Sequence, residues 1–151
     1  MPNRNRHEIL GRYRQPERAG YRPVNRSSRE GDTVRIVMSE EFWVNRRDAG
    51  EAVILDVSGV VDIITAPSLA THIDIALSGT PAVLVIDLTE VDFLSSAGIT
   101  VLVEVHRLTQ DSPTSLRVAA DGSATSRPLR IVGLDEFIDL YPTVDKALEG
   151  R

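Results

Sequence analysis

From about residue 40 the apolar positions fall into two alternating patterns: short continuous runs of β-branched residues, and longer stretches with helical spacing. The run 53-VILDVSGVV-61 reads as a strand, and 63-IITAPSLATHIDIALSG-79 reads as a helix that starts near Ala66-Pro67. Pro67 in the first turn and Gly79 past the end agree with those limits. Next, 82-AVLVIDL-88 is the short apolar run expected of a strand buried on both faces. The stretch 91-VDFLSSAGITVLVEVHRL-108 carries a second helix that starts at its serines, after which 110-QDSPT-114 reads as a loop. The strand 115–120, a helix over 123–133, the strand-like 136–141 and a final helix over 142–150 complete the alternation. This pattern predicts a single α/β domain with a largely parallel mixed sheet of about four to five strands and about four helices, to which 41-EFWVNRR-47 adds an antiparallel edge. No internal repeat is visible.

The two serines before the second helix raise a separate question. A serine at that point supplies an oxygen to the free backbone N–H groups of the first turn, so Ser95 or Ser96 serves as a cap. Projected at about 100° per residue, Ser96, Thr100, Glu104 and Arg107 lie in one narrow stripe, with Ile99, Leu102, Val105 and Leu108 pointing elsewhere. That stripe is predicted to face solvent. Val103 falls inside it although it is apolar, which makes it either an ordinary exposed valine or part of a docking surface headed by a serine hydroxyl.

Charge divides the chain. Residues 1–30 carry eight Arg against three Glu, a net +5, which leaves −10 for the rest of a chain whose total is −5. The first 37 residues, poor in aromatic and β-branched types over most of their length and without helical or strand period, are expected to be a disordered basic tail or an upstream extension ahead of a true start at Met38. The domain proper is then 38–151. Charge without a recognition motif gives no ground for direct nucleic-acid binding. With no cysteine, disulfides, thiolate metal sites and a cysteine nucleophile are excluded. No apolar run approaches the roughly 20 residues that span a bilayer, and no signal-peptide hydrophobic region is seen, so a cytoplasmic protein without membrane contact is expected.

Candidate catalytic chemistry is thin. Ser96 with His72 or His106 and an Asp could be drawn as a hydrolase triad, but the Gly-x-Ser-x-Gly elbow is missing. His106 sits among apolar helix positions, as a core histidine would. Asp87, Glu90 and Asp92 bracket a strand end without the spacing of a metal loop. No Gly-rich phosphate loop is present. The expectation is therefore no catalysis, no metal and no cofactor.

The segment V-D-F-L-S-S-A-G-I, with the strand 83-VLVIDL-88, the Gly-x-x-Asp turn in 59-GVVDIITAPSL-69 and the ending 129-LRIVGLDEFIDLYPTVDKAL-148, resembles STAS domains of the anti-sigma-factor antagonist family over roughly Glu40 to Glu149. The resemblance implies partner switching: a serine kinase of the GHKL type that is also an anti-sigma factor phosphorylates the turn, and a serine phosphatase reverses it. Aligned on Gly98, the phosphoacceptor is Ser96, supported by Asp62, Ser95 and Gly98, with Thr100, Val103, Glu104 and Arg107 meeting the partner. Two positions depart from the family pattern. Ser95 stands where an aspartate often precedes the target serine, and Ala97 removes a second hydroxyl. Asp62 is either a substitute charge for that aspartate or a plain turn residue. The rival implication is a STAS scaffold or sensor subunit that is not phosphorylated.

Overall fold

The computed structural model describes residues 42–150; the expectations for the basic tail and for residues 38–41 lie outside the described residues. Five strands, β1 (Phe42–Ala49), β2 (Ala52–Val61), β3 (Val83–Leu94), β4 (Ser115–Ala119) and β5 (Asp139–Tyr141), lie in that order across one sheet. Only the β1–β2 pair is antiparallel. The hairpin joining them needs just two residues, and Gly50 supplies the left-handed φ of 63° that its turn requires. Among the described residues, four helices, α1 (Ala66–Ser78), α2 (Ser96–Gln110), α3 (Ser126–Ile131) and α4 (Val144–Glu149), and one 3₁₀ turn (Leu134–Glu136) accompany the sheet.

Alternation along the strands divides the core. Val53, Leu55, Val57 and Val61 of β2 and Leu84, Ile86 and Leu88 of β3 pack with Leu69 and Ile73 of α1, Leu102 and Val105 of α2, and Leu129 of α3. The intervening residues Ile54 and Val85 point the other way and form a small second cluster with Tyr141 and Ala147 of α4. One sheet face is thus thickly covered and the other thinly.

Three expected elements change length, each for a local reason. β3 continues six residues beyond Leu88, because Val91 and Leu94 keep returning to the core while Thr89, Glu90, Asp92 and Phe93 face out. Register shifts between Asp56 and Ser58 and between Gly59 and Val60 absorb the irregularity. The helix expected over 123–133 shrinks to Ser126–Ile131: Ser126 Oγ both accepts from Gly122 N–H and bonds its carbonyl at 2.9 Å, holding a turn ahead of it. Gly133 then adopts φ 81° and hands over to the 3₁₀ turn, which leaves only Asp139–Tyr141 of the strand expected over 136–141.

α1 ends where expected, with Gly79 just past its last residue. Gly79 lies at φ −87°, and the left-handed residue is its neighbour Thr80 at φ 46°. Its N–H donates to Leu77 C=O at 2.9 Å, so the helix end is satisfied at the cost of about 1–2 kcal/mol of strain in a β-branched residue.

Candidate functional site

The carboxyl ends of β2 and β3 deliver two turns to the same edge of the sheet. Val61 and Leu94 are register partners, and Ser95 N–H donates to Val61 C=O at 2.9 Å, so the start of α2 is tied to the end of β2. Ser95 is the N-cap: its Oγ accepts from Ala97 N–H at 3.2 Å. Its neighbour Ser96 opens the helix, is exposed, and uses its carbonyl to accept from Thr100 Oγ1 at 2.9 Å. No hydrogen bond engages the Ser96 hydroxyl among the described residues. The two serines have separate tasks, and the second leaves its oxygen free.

Gly98 explains why α2 can sit so close. A Cβ there would stand 2.6 Å from Leu94 Cδ1 and 2.7 Å from Val61 Cγ1, so only glycine lets the first turn rest on both strand ends. Asp62, half-buried in the adjoining turn, is a turn residue first. Its Oδ1 accepts from Ile64 N–H and Thr65 N–H, each at 3.0 Å, while Asp62 N–H donates to Thr65 Oγ1 at 2.9 Å. Between Asp62 and α1, Ile63 and Ile64 stand exposed, and Phe93 is exposed at the end of β3. These three escaped the sequence reading. Their signal was an apolar pair placed in a turn, outside any helical or strand phase.

Of the α2 stripe, Thr100, Glu104 and Arg107 are exposed as expected, and Arg107 Nη1 donates to Glu104 Oε2 at 3.2 Å. Val103 is not solvent-facing: it is half-buried and packs against the main core. The projection treated α2 as bare on its outer side, whereas His106, on the same flank, meets the Phe137 ring at 6.2 Å, so that flank is covered by the segment after α3. Leu108 departs in the other direction and is exposed, lining a groove with Leu77 and Ser78 of α1.

No triad assembles around Ser96. His106 lies ten residues further along α2, about 15 Å of helical rise away. His72 Nδ1 is 2.8 Å from its own helix's Ser68 carbonyl. No group of three or more metal-ligating side chains occurs among the described residues.

On the thin face, Asp56 and Asp87 are register partners on adjacent strands. Arg47 of β1 grips Asp56 through Nε at 2.6 Å and Nη2 at 3.0 Å, and Asp87 Oδ1 accepts from Thr89 N–H at 2.9 Å and Thr89 Oγ1 at 2.6 Å. Burial pushes the Asp87 carboxyl above its ordinary 3.8, with the neighbouring Asp56 adding to the rise. Burial alone would raise Asp56 too, but the hydrogen bonds from Arg47 and Asp87 outweigh it and hold Asp56 low. Of the two, Asp87 is the carboxyl that takes up a proton first as pH falls. A raised folded value means that the stability from protonated Asp87 is present at low pH and lost as pH climbs from 3.8 through that raised value; Asp56 acts oppositely, losing its contribution only below 3.8. Asp87→Asn, whose amide keeps both the acceptor for Thr89 and a donor for Asp56, should remove the loss. Urea titrations between about pH 4 and about pH 7 should show the variant gaining on the wild type as pH rises; parallel curves would mean that Asp87 does not take up its proton above the ordinary range.

A parallel sheet with an antiparallel edge, two turns meeting at its carboxyl edge, and an exposed serine at a helix start held down by glycine define a STAS-type domain. The STAS domain family model matches residues 44–147, and the chain belongs to that family. It is 36% identical over 111 residues to the anti-sigma-F factor antagonist RsfB of Mycobacterium tuberculosis, spanning 74% of this chain and 90% of that protein. A crystal structure of an anti-sigma factor antagonist from Mycobacterium paratuberculosis superposes with a TM-score of 0.70 at 35% identity, covering 74% of this chain and 95% of that one. The unphosphorylated form of the antagonist SpoIIAA shares the fold, with a TM-score of 0.56 at 14% identity over 72% of this chain and 93% of that one. These relatives are regulatory proteins rather than enzymes. No helix among the described residues is long and apolar enough to cross a membrane.

Proposed function

We propose that this protein is an anti-sigma-factor antagonist switched at Ser96. Unmodified, it binds an anti-sigma factor that is also a GHKL-type serine kinase and so frees the sigma factor; phosphorylated on Ser96, it lets the partner go, and a serine phosphatase resets it. The carrying observation is the division of labour between the two serines: Ser95 spends its hydroxyl on the cap, whereas the Ser96 hydroxyl is exposed and unengaged. The names of the two mycobacterial relatives support the same partner class.

Phosphate adds about −1.5 to −2 charge and three acceptor oxygens at one point. A helix N-terminus accommodates an anion, so the fold survives modification. The cost falls on the docked complex, in which the same charge would have to be desolvated against the partner. Gly98 and the Asp62 turn hold the serine at the rim, and exposed Thr100, Glu104 and Arg107 extend the contact along α2. Val103 contributes by supporting the helix from below.

The test is incubation with the cognate kinase and ATP, followed by mass mapping. Phosphate should map to Ser96, vanish in Ser96→Ala, and leave binding of that variant to the anti-sigma factor intact; Ser96→Asp, with one charge in place of nearly two, should weaken the complex only partly. Phosphate on Ser95, or labelling that survives Ser96→Ala, would refute the assignment. Binding without any labelling would instead favour a STAS scaffold or sensor subunit.

A further inference from the structure

The sheet face opposite the main core is only half covered. Tyr141 and Ala147 of α4 pack on Ile54 and Val85. Beyond them on the same face come Asp56 and Asp87, then Ser58 beside Glu90, and Val60 beside Phe93. Trp43 of β1 is the register partner of Ser58 and so joins this face. Parallel strands are normally buried on both sides, yet Trp43 and Phe93 are 57% and 55% exposed. Glu90 and its neighbour Asp92 are exposed too, and neither enters an ion pair among the described residues. The arginines that the sheet places on this face are engaged elsewhere, Arg47 by Asp56 and Arg117 by the Ala147 carbonyl at 2.8 Å, and Lys146 of α4 joins no ion pair. Two open rings with two unmatched carboxylates are what guanidinium groups recognise, by stacking and by pairing.

The chain itself carries that chemistry. The stretch 18-RAGYRPVNRSSR-29 holds four Arg and no acidic residue, whereas the chain after residue 30 has a net charge of −10. The described residues begin at Phe42, register partner of Gly59, so the segment ahead of it joins the domain at this end of the sheet, next to Trp43. Trp43 and Phe93 stand two strand spacings across and two residues along from each other, about 12 Å. Arg22 and Arg26, four residues apart, span about 13 Å in an extended chain. A short tether holds such a segment at roughly millimolar effective concentration, which lets exposed pairs that are weak singly act together. Phe137 also adjoins an acid, Glu136, but there α3 already brings Arg130 to 3.8 Å from Asp135. We propose that the arginines of residues 18–29 dock on the open face of their own domain, stacking on Trp43 and Phe93 and pairing with Glu90 and Asp92. The docked segment then borders the switch surface, because Phe93 is followed by Leu94 and the capping Ser95. This contact is independent of the proposed function.

Trp43 is the chain's only tryptophan, so acrylamide quenching of its fluorescence in the full chain reads the contact directly. At about 0.05 M salt, Arg18→Gln/Arg22→Gln/Arg26→Gln/Arg29→Gln should be quenched at least about twofold more steeply than wild type, and raising salt to about 0.5 M should bring wild type close to that variant. Glu90→Gln/Asp92→Asn should shift quenching in the same direction, with thermal melts to verify folding. If it melts early, the arginine variant decides, because its changes lie outside the sheet. Equal quenching of wild type and the arginine variant at low salt would overturn the docking. Shielding that grows as protein concentration rises from about 1 µM to about 100 µM would overturn it in favour of a second copy. Shielding that appears only when a purified anti-sigma factor is added would give the face to that partner instead.

Discussion

Replacing Gly98 by valine is expected to destabilise the domain by about 3 kcal/mol or more, and replacing it by alanine by about 1–2 kcal/mol. In an ordinary helix, Gly→Ala gains roughly 0.5–1 kcal/mol, because glycine loses the most freedom on folding. Here the sign reverses. The added Cβ meets Leu94 Cδ1 at 2.6 Å and Val61 Cγ1 at 2.7 Å, with Val61 Cβ behind it at 3.4 Å. The leucine tip can rotate away, but the valine is β-branched, fully buried and part of a paired strand, so it cannot. α2 must lift at its first turn, and Ser96 with it. A double-mutant cycle isolates the cause: Val61→Ala opens a cavity of its own, yet combined with Gly98→Ala it should cost less than the sum, by about 0.5–2 kcal/mol of coupling. Strict additivity in urea titrations would show that the clash is not what matters at Gly98.

Much of this edge was legible before any coordinates. The strand–helix alternation, the antiparallel first strand, the start of α1 at Ala66 and the serine at the head of α2 all follow from patterns in which neighbours along the chain carry the information. What escaped reading depends on neighbours distant in sequence. Asp56 sits in a valine-rich strand with nothing nearby to mark it; only the register that places it beside Asp87 makes the two carboxyls an interacting pair. The extension of β3 was hidden because Thr89, Glu90 and Asp92 look like a loop until Val91 and Leu94 are seen returning to the core. The left-handed residue after α1 is Thr80, a β-branched type that gives no local sign of it. Ile63 and Ile64 were readable as apolar, but their exposure depends on how the Asp62 turn is tied.

Val103 is the case in which the local pattern pointed the wrong way, and it gives the sharper stability test. At its helical phase a lone outward valine is cheap to change, and Val103→Asp would then shift stability by at most about 0.5 kcal/mol. The structure places the side chain against the core, on the flank where His106 meets Phe137. A carboxylate there loses apolar contacts and part of its hydration, and the cation one turn on, Arg107, is exposed and already paired with Glu104, so Val103→Asp should cost about 1–3 kcal/mol. Thr100→Asp, one turn earlier and exposed, is the control: it should stay within about 0.5 kcal/mol, helped by the positive end of α2. Urea midpoints at unchanged slope measure both. A large loss for Val103 and none for Thr100 means that weakened partner binding by Val103→Asp reports a loosened α2, whereas the Thr100 variant reports the docking surface itself. Equal, negligible effects would return Val103 to the solvent-facing stripe and make it a contact residue beside Ser96.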